Sequence, residues 1–102
     1  MNIQHLLKQA QQMQNQIAKT EKELETREYT ATAGGEAVKI TLTGKFEVQS
    51  ITISEELMNP ESKELLEDSI LLSIIAALAA ALKDKQETMN KITQGVKMPG
   101  VF

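Results

Sequence analysis

The sequence contains no cysteine and no tryptophan, and its only aromatic residues are Tyr29, Phe46 and Phe102. Without cysteine the chain cannot form disulfides, thiolate metal sites or a cysteine nucleophile, a composition that fits a reducing cytosol. The scarcity of aromatic side chains argues against binding of single-stranded nucleic acid by base stacking. No helix-turn-helix or zinc-finger spacing is present, so the sequence does not indicate sequence-specific reading of the major groove.

Residues suited to catalysis are also scarce. His5 is the only histidine, so a pair of histidine metal ligands is excluded and a Ser-His-Asp arrangement is not favoured. The adjacent acids Glu55 and Glu56 are typical of a solvated surface. Gly34-Gly35 lacks the sequence context of a phosphate-binding loop. The sequence therefore predicts a protein that is not an enzyme and has no cofactor, metal or small-molecule substrate.

One long apolar run, residues 70–82, contains no charge and one polar side chain, Ser73. In a helix its large aliphatic side chains would cover an arc of about 200°, wider than the stripe of about 100° on an ordinary surface helix. The run is shorter than the roughly 20 residues that span a bilayer, so we expect a buried helix and no membrane partner. The small residues on the remaining arc fit a close helix–helix contact and fit simple helix propensity equally well. They are Ser73, Ala76, Ala77 and Ala80.

Periodicity along the chain predicts an α+β fold: a helix, a three-stranded antiparallel meander and a second long helix. Gly34-Gly35 and Gly44-Lys45 are turn signals, and the shift of apolar phase at Gln49-Ser50 indicates a β-bulge. Asn59-Pro60 is typical of a helix start. The predicted single domain, 1–102, has a helix at about 2–27, strands at about 28–34, 36–44 and 46–54, a helix at about 60–93 and a flexible tail at 95–102.

Apolar surface is in excess for so short a chain. One sheet face can cover one side of the second helix, which leaves its other aliphatic side and the seam of the first helix without cover. A two-fold homodimer is the economical solution, because one patch then covers itself. The predicted dimerisation residues are Leu72, Ile75, Leu78 and Leu82.

Charge is unevenly distributed along the chain. The formal net charge is −3, yet residues 1–20 and 83–102 each carry +2, and residues 21–82 carry −7. One face of the first helix presents hydrogen-bond donors and no acid, which suits contact with phosphates. The residue pattern alone favours the simpler interpretation of a solvated helix face. The donors on the first helix are Lys8, Gln12, Asn15, Lys19 and Lys22, and a second, more dilute basic group is Lys83, Lys85 and Lys91.

Three stretches together resemble the YbaB/EbfC family of bacterial nucleoid-associated proteins. They are LLKQAQQMQNQI at 6–17, GGEAVKITLTGKFEVQSITISEEL at 34–57 and KMPGVF at 97–102. The resemblance implies a helix–three strands–helix subunit, an intertwined homodimer with protruding helices, and a location on the nucleoid in the cytoplasm. It also implies binding of duplex DNA, with a change in DNA conformation that affects nucleoid organisation and gene expression.

In that family the helices are implicated in contact with DNA. The resemblance therefore assigns DNA binding to the two basic groups named above, from Lys8 to Lys22 and from Lys83 to Lys91. The rival interpretation is a dimeric interaction or adaptor module whose protruding helices grip a protein partner.

Overall fold

The computed structural model describes residues 2–94, so the predicted tail at 95–102 lies outside the described residues. The order of elements confirms the predicted fold class, and the sheet is an antiparallel meander in the order β1-β2-β3. Two short 3₁₀ turns, Glu55–Leu57 and Pro60–Ser62, precede the last helix. The regular elements are α1 Ile3–Thr26, β1 Glu28–Ala33, β2 Val38–Thr43, β3 Val48–Ile53 and α2 Lys63–Gln94.

Side chains cap the start of each helical segment. The Asn2 carboxamide oxygen accepts hydrogen bonds from the backbone N–H groups of Gln4, at 3.0 Å, and His5, at 3.4 Å. Asn59 does the same for the Ser62 N–H, at 2.9 Å. These bonds satisfy donors that have no partner within a helix. The Asn59-Pro60 signal thus marks the start of a helical segment, whose first turn is 3₁₀ before α2 begins at Lys63.

The turn between β1 and β2 is longer than the two-glycine turn that the sequence predicts. Gly34, Gly35 and Glu36 all have left-handed φ, between 67° and 69°. A Cβ at Gly34 would lie 2.6 Å from the Ser69 hydroxyl of α2, so glycine lets this turn approach the helix. The closing pair is Ala33–Val38, and both strands are therefore shorter than expected.

The turn between β2 and β3 is fastened to the end of α1. Gly44 donates its N–H to the Arg27 carbonyl at 3.0 Å, and a Cβ at Gly44 would lie 1.8 Å from the Leu24 carbonyl oxygen. Phe46, expected to open the third strand, instead adopts a φ of 65° in this turn. β3 accordingly begins two residues later, at Val48.

The predicted bulge lies at Gln49. Thr41 pairs with Ser50 and the next residue, Leu42, pairs with Val48, so Gln49 is the extra residue of β3. Because directly paired residues share a face, Val48 and Ile51 both lie on the face of the sheet that carries Leu42. The bulge thus places apolar residues from both alternation phases of the third strand on the same face of the sheet.

A face of small residues on α2 packs on β1 and β2. Ala77 and Ala81 form the core with Ile40 and Leu42 of β2, and half-buried side chains of β1 and α2 surround it. The small arc of α2 therefore makes its close contact with the sheet, while Ala76 and Ala80 are exposed. The buried positions of this face, spaced four residues apart, are Ser69, Ser73, Ala77 and Ala81.

A polar cluster joins α1, β1 and α2 where they meet. Arg27 donates to the Asp84 carboxylate at 2.8 Å, and the Tyr29 hydroxyl donates to the same oxygen. The hydrogen bond from Tyr29, with that from Arg27, holds the pKa of Asp84 below its ordinary value. Burial and the bond to Asp84 raise the pKa of Tyr29. The cluster fixes the end of α1 against α2.

By length and composition, Pro60–Thr93 could cross a membrane: an 18-residue window has a mean hydropathy of 2.0, with 22% of it buried. The same part of α2 carries a three-stranded sheet along its side. Open sheet edges do not occur in the hydrocarbon of a bilayer, because their backbone groups would lack partners. The attached sheet therefore argues against a transmembrane helix, and most of the apolar window of α2 is uncovered in one chain.

Gly44→Ala should destabilise the fold strongly, because its new methyl group meets the backbone of α1 rather than a movable side chain. We expect a loss on the order of 3 kcal/mol in the free energy of unfolding, measured by urea denaturation. Gly35→Ala is the control, since a Cβ there meets nothing within 4 Å and suffers only its left-handed φ. Gly35→Ala should lower the free energy of unfolding by about 1 kcal/mol. Equal losses in the two variants would contradict the assigned contact.

Asp84→Asn should lower stability at neutral pH by removing the charge that Arg27 and Tyr29 contact. Because the folded pKa of Asp84 is depressed, its contribution is present above its unfolded pKa of about 3.9. This contribution to stability is lost as the pH falls through the pKa that Asp84 has in the folded protein. Thermal unfolding at several pH values should therefore show a deficit at pH 7 that shrinks below about pH 4. Gln86→Asn, which changes no charge at an exposed position of the same helix, should show no such trend, and a deficit independent of pH would contradict this role.

Candidate nucleic-acid interface

Beyond the sheet, α1 and α2 lie against each other. Leu24 and Ala81 line one cleft at their junction. Met13, half-buried on α1, precedes Leu24 by eleven residues, and Ile92, buried on α2, follows Ala81 by eleven. Equal spacing in opposite directions is what antiparallel helices produce. We call the arm the part of this helix pair that precedes Leu24 on α1 and follows Ala81 on α2.

The arm makes the molecule long. The described chain measures 71 × 24 × 14 Å, whereas α2 alone accounts for about 48 Å at 1.5 Å per residue. Counted outward from Leu24 and Ala81, α1 runs 21 residues to Ile3 and α2 runs 13 residues to Gln94, so the first turns of α1 extend past the last described turn of α2. The arm therefore presents a long helical surface away from the sheet.

The five donors predicted on α1 form one continuous stripe, which we call the donor stripe. All five side chains are exposed, and they lie about 150° around the helix from the seam that contacts α2. Lys8 and Lys22, at its two ends, are separated by about 21 Å along the helix. Within residues 2–94 the ion pairs are Arg27–Asp84 and Lys45–Glu25, so none of the stripe's lysines is paired with a carboxylate.

The three lysines predicted on α2 are exposed but are not brought together. Lys83 lies about 160° around the helix from Lys85, and Lys91 lies between them on a third side. Lys85 lines the junction cleft together with Glu21 and Glu25. The structure therefore groups the α1 residues on one face and separates the α2 residues.

The junction cleft has a volume of about 440 Å³ and is not basic. Buried Leu24 and Ala81 lie at its floor, and its charged lining has three glutamates against two lysines. Within residues 2–94 no group of three or more histidines or acids could hold a metal ion. This cleft could not be predicted from the sequence, since α1, the turn after β2, and α2 each supply part of it. The lining acids and bases are Glu21, Glu25, Glu47, Lys45 and Lys85.

The predicted dimerisation residues are largely uncovered in one chain. Leu72, Ile75 and Leu82 are 58%, 53% and 49% exposed, whereas Leu78 is half-buried against the core. Two further exposed aliphatic side chains, which the prediction did not include, are Val48 and Ile51, 56% and 45% exposed on β3. They lie on the α2 side of the sheet, but α2 covers β1 and β2 instead. We call this set of five, without Leu78, the open aliphatic surface.

Comparison with known proteins agrees with this architecture. A nucleoid-associated protein of Clostridium novyi is 44% identical over 102 residues, covering 100% of this chain and 90% of that protein. One from Clostridium kluyveri is 42% identical over 101 residues, covering 99% and 89%. The crystal structure of an uncharacterized protein from Helicobacter pylori shares the fold, with a TM-score of 0.76 at 17% identity, over 91% of this chain and 98% of that one.

The family comparison covers nearly all of the chain. Residues 1–96 match the model of the YbaB/EbfC DNA-binding family, which includes both α1 with its donor stripe and the whole of α2. The family is described by DNA binding and not by an enzymatic reaction. The chain therefore belongs to the YbaB/EbfC DNA-binding family.

Proposed function

We propose that this protein is a nucleoid-associated protein that binds duplex DNA as a homodimer and alters its conformation. The observation that carries the proposal is the donor stripe of α1, which is exposed, unpaired with acids and about 21 Å long. Membership in a DNA-binding family and the nucleoid-associated names of two relatives support it. The corresponding location is the nucleoid, within the cytoplasm.

The mechanism is electrostatic and geometric. Lys8, Lys19 and Lys22 supply positive charge, and the amides between them donate hydrogen bonds to phosphate oxygens. Such contacts fix the position of a protein on the duplex and carry little sequence information. Two rigid stripes held by one body would constrain or bend the DNA between them, at a cost that depends on DNA deformability.

The open aliphatic surface supports the proposed dimer. Burying a large aliphatic side chain fully contributes about 1.5–3 kcal/mol, and this surface leaves three such side chains on α2 and two on β3 about half exposed. A second copy related by a two-fold axis covers both patches at once, because each copy offers the same surface. Each dimer then carries two arms, whose spacing is set by the contact between the two α2 helices.

DNA binding should weaken steeply with salt, and Lys19→Ala should reduce that dependence. Each lost phosphate contact lowers the slope of log K against log salt by about 0.9, so a dimer that loses two contacts should show a slope lower by nearly 2. Lys39→Ala removes the same charge from the polar face of the sheet and should leave the slope unchanged. Fluorescence anisotropy with a labelled duplex would measure both. Binding without salt dependence, or no binding at low salt, would instead favour a protein partner.

Ile75→Asp should separate the dimer, because it places a charge in the open aliphatic surface. In the single chain Ile75 is 53% exposed, so an aspartate at this position can remain hydrated. The fold of the monomer should therefore survive the substitution. Asn90→Asp, exposed on the same helix, adds a charge outside this surface and should keep the dimer. Sedimentation equilibrium at micromolar concentration should give twice the chain mass of 11.3 kDa for the parent protein and the control. A parent protein with the mass of one chain would overturn the dimer.

A further inference from the structure

The polar cluster of Arg27, Tyr29 and Asp84 lies at the base of the arm. A single residue, Arg27, separates α1 from β1. Its side chain donates to Asp84 of α2 at 2.8 Å, and its carbonyl accepts the Gly44 N–H at 3.0 Å. The direction in which α1 leaves the sheet is therefore determined at Arg27.

The Asp84 carboxylate connects three elements at this point. It lies just after Ala81 on α2, where the arm begins. One of its oxygens accepts from Arg27 and from Tyr29, and the other accepts from the Thr88 hydroxyl at 3.4 Å. Because Tyr29 is half-buried and packs against the core, the cluster ties the first turn of the arm on α2 both to α1 and to the sheet.

Apolar packing alone holds α1 over a narrow contact. Within α1, Ile3–Thr26, Leu24 is the only buried residue, and Met13, Ile17 and Thr20 are half-buried. Lys8 of the donor stripe lies about 24 Å along the helix from Leu24. A rotation of about 10° at the base of α1 would move Lys8 by about 4 Å, which exceeds the rise of about 3.4 Å between successive phosphates of one DNA strand. The angle of α1 at its base therefore decides whether the donor stripe matches the phosphates.

We propose that Arg27, Tyr29 and Asp84 are positioning residues, which hold α1 at the angle at which the two donor stripes of a dimer bend duplex DNA. The inference rests on the proposed function, and it does not require any of the three side chains to touch DNA. Asp84 is negatively charged, so charge alone predicts that its loss strengthens DNA binding. Positioning predicts instead that its loss reduces the bending of the bound DNA.

The angle of α1 can be measured without DNA. Because the chain contains no cysteine, Gln9→Cys on α1 and Lys39→Cys on the sheet provide two defined sites for spin labels, and both positions are exposed. Labelled chains are refolded with an excess of unlabelled chains, so that electron–electron double resonance reports the distance within one chain. Tyr29→Phe removes a hydroxyl and no charge, and it should broaden the distribution of this distance about twofold. An unchanged distribution would overturn the proposal.

Glu87→Gln is the matched control for Asp84→Asn, because it removes the same charge from an exposed position of the same helix. Asp84→Asn should broaden the distribution, whereas Glu87→Gln should not. Arg27→Gln should broaden it in the parent protein and add nothing in the Asp84→Asn background, since both changes break the same contact. Circular dichroism should show equal helix content in all variants, so that loss of the helix is not the cause. Equal broadening by Asp84→Asn and Glu87→Gln would contradict a role specific to the cluster.

DNA bending provides the functional measurement. A duplex with a donor and an acceptor fluorophore at its two ends is saturated with protein, so that differences in affinity do not contribute. Asp84→Asn should reduce the increase in energy transfer by about half, whereas Glu87→Gln should keep it. A broadened arm with undiminished bending would overturn the positioning role. Absence of bending in the parent protein would contradict the proposed function itself, whereas the distances between spin labels test the hold on α1 separately.

Discussion

The close packing of α2 on the sheet determines most of the other features of this molecule. Ser69, Ser73, Ala77 and Ala81 have side chains so small that the helix can lie near the buried aliphatics of β2. A helix that presents its small residues to its own sheet must direct its large ones elsewhere. The aliphatic side chains of residues 70–82 therefore lie partly in solvent, and the apolar surface that they form is the physical basis of the proposed second subunit.

The β-bulge extends that surface onto the sheet. In a regular strand Val48 and Ile51 would point to opposite faces, and only one could join the apolar side. With Gln49 as the extra residue, both lie on the side of α2. The opposite face is polar, as the contact of 3.0 Å between the Thr30 and Thr41 hydroxyls shows. The sheet thus has one face suited to burial and one suited to water.

Features that depend on one segment could be predicted from the sequence, and those that depend on several could not. The donor stripe follows from spacing within α1, and the helix start at Asn59 from local capping. The left-handed turns that shorten the strands at Glu36 and Phe46 depend on how closely the glycines before them approach α2 and α1. The separation of Lys83 from Lys85 also follows from their spacing of two residues on one helix, whereas the junction cleft depends on three elements placed together.

The distribution of charge along the arm limits where a duplex can lie in the proposed complex. The donor stripe carries lysines without acids from Lys8 to Lys19, whereas Glu21, Glu25 and Glu47 gather around the junction cleft. Arg27 does not offset these acids, because it is engaged with Asp84. Phosphates are therefore attracted to the distal part of α1 and repelled near the sheet. The duplex would lie toward the ends of the two arms, where a small change in their angle produces the largest displacement of the DNA.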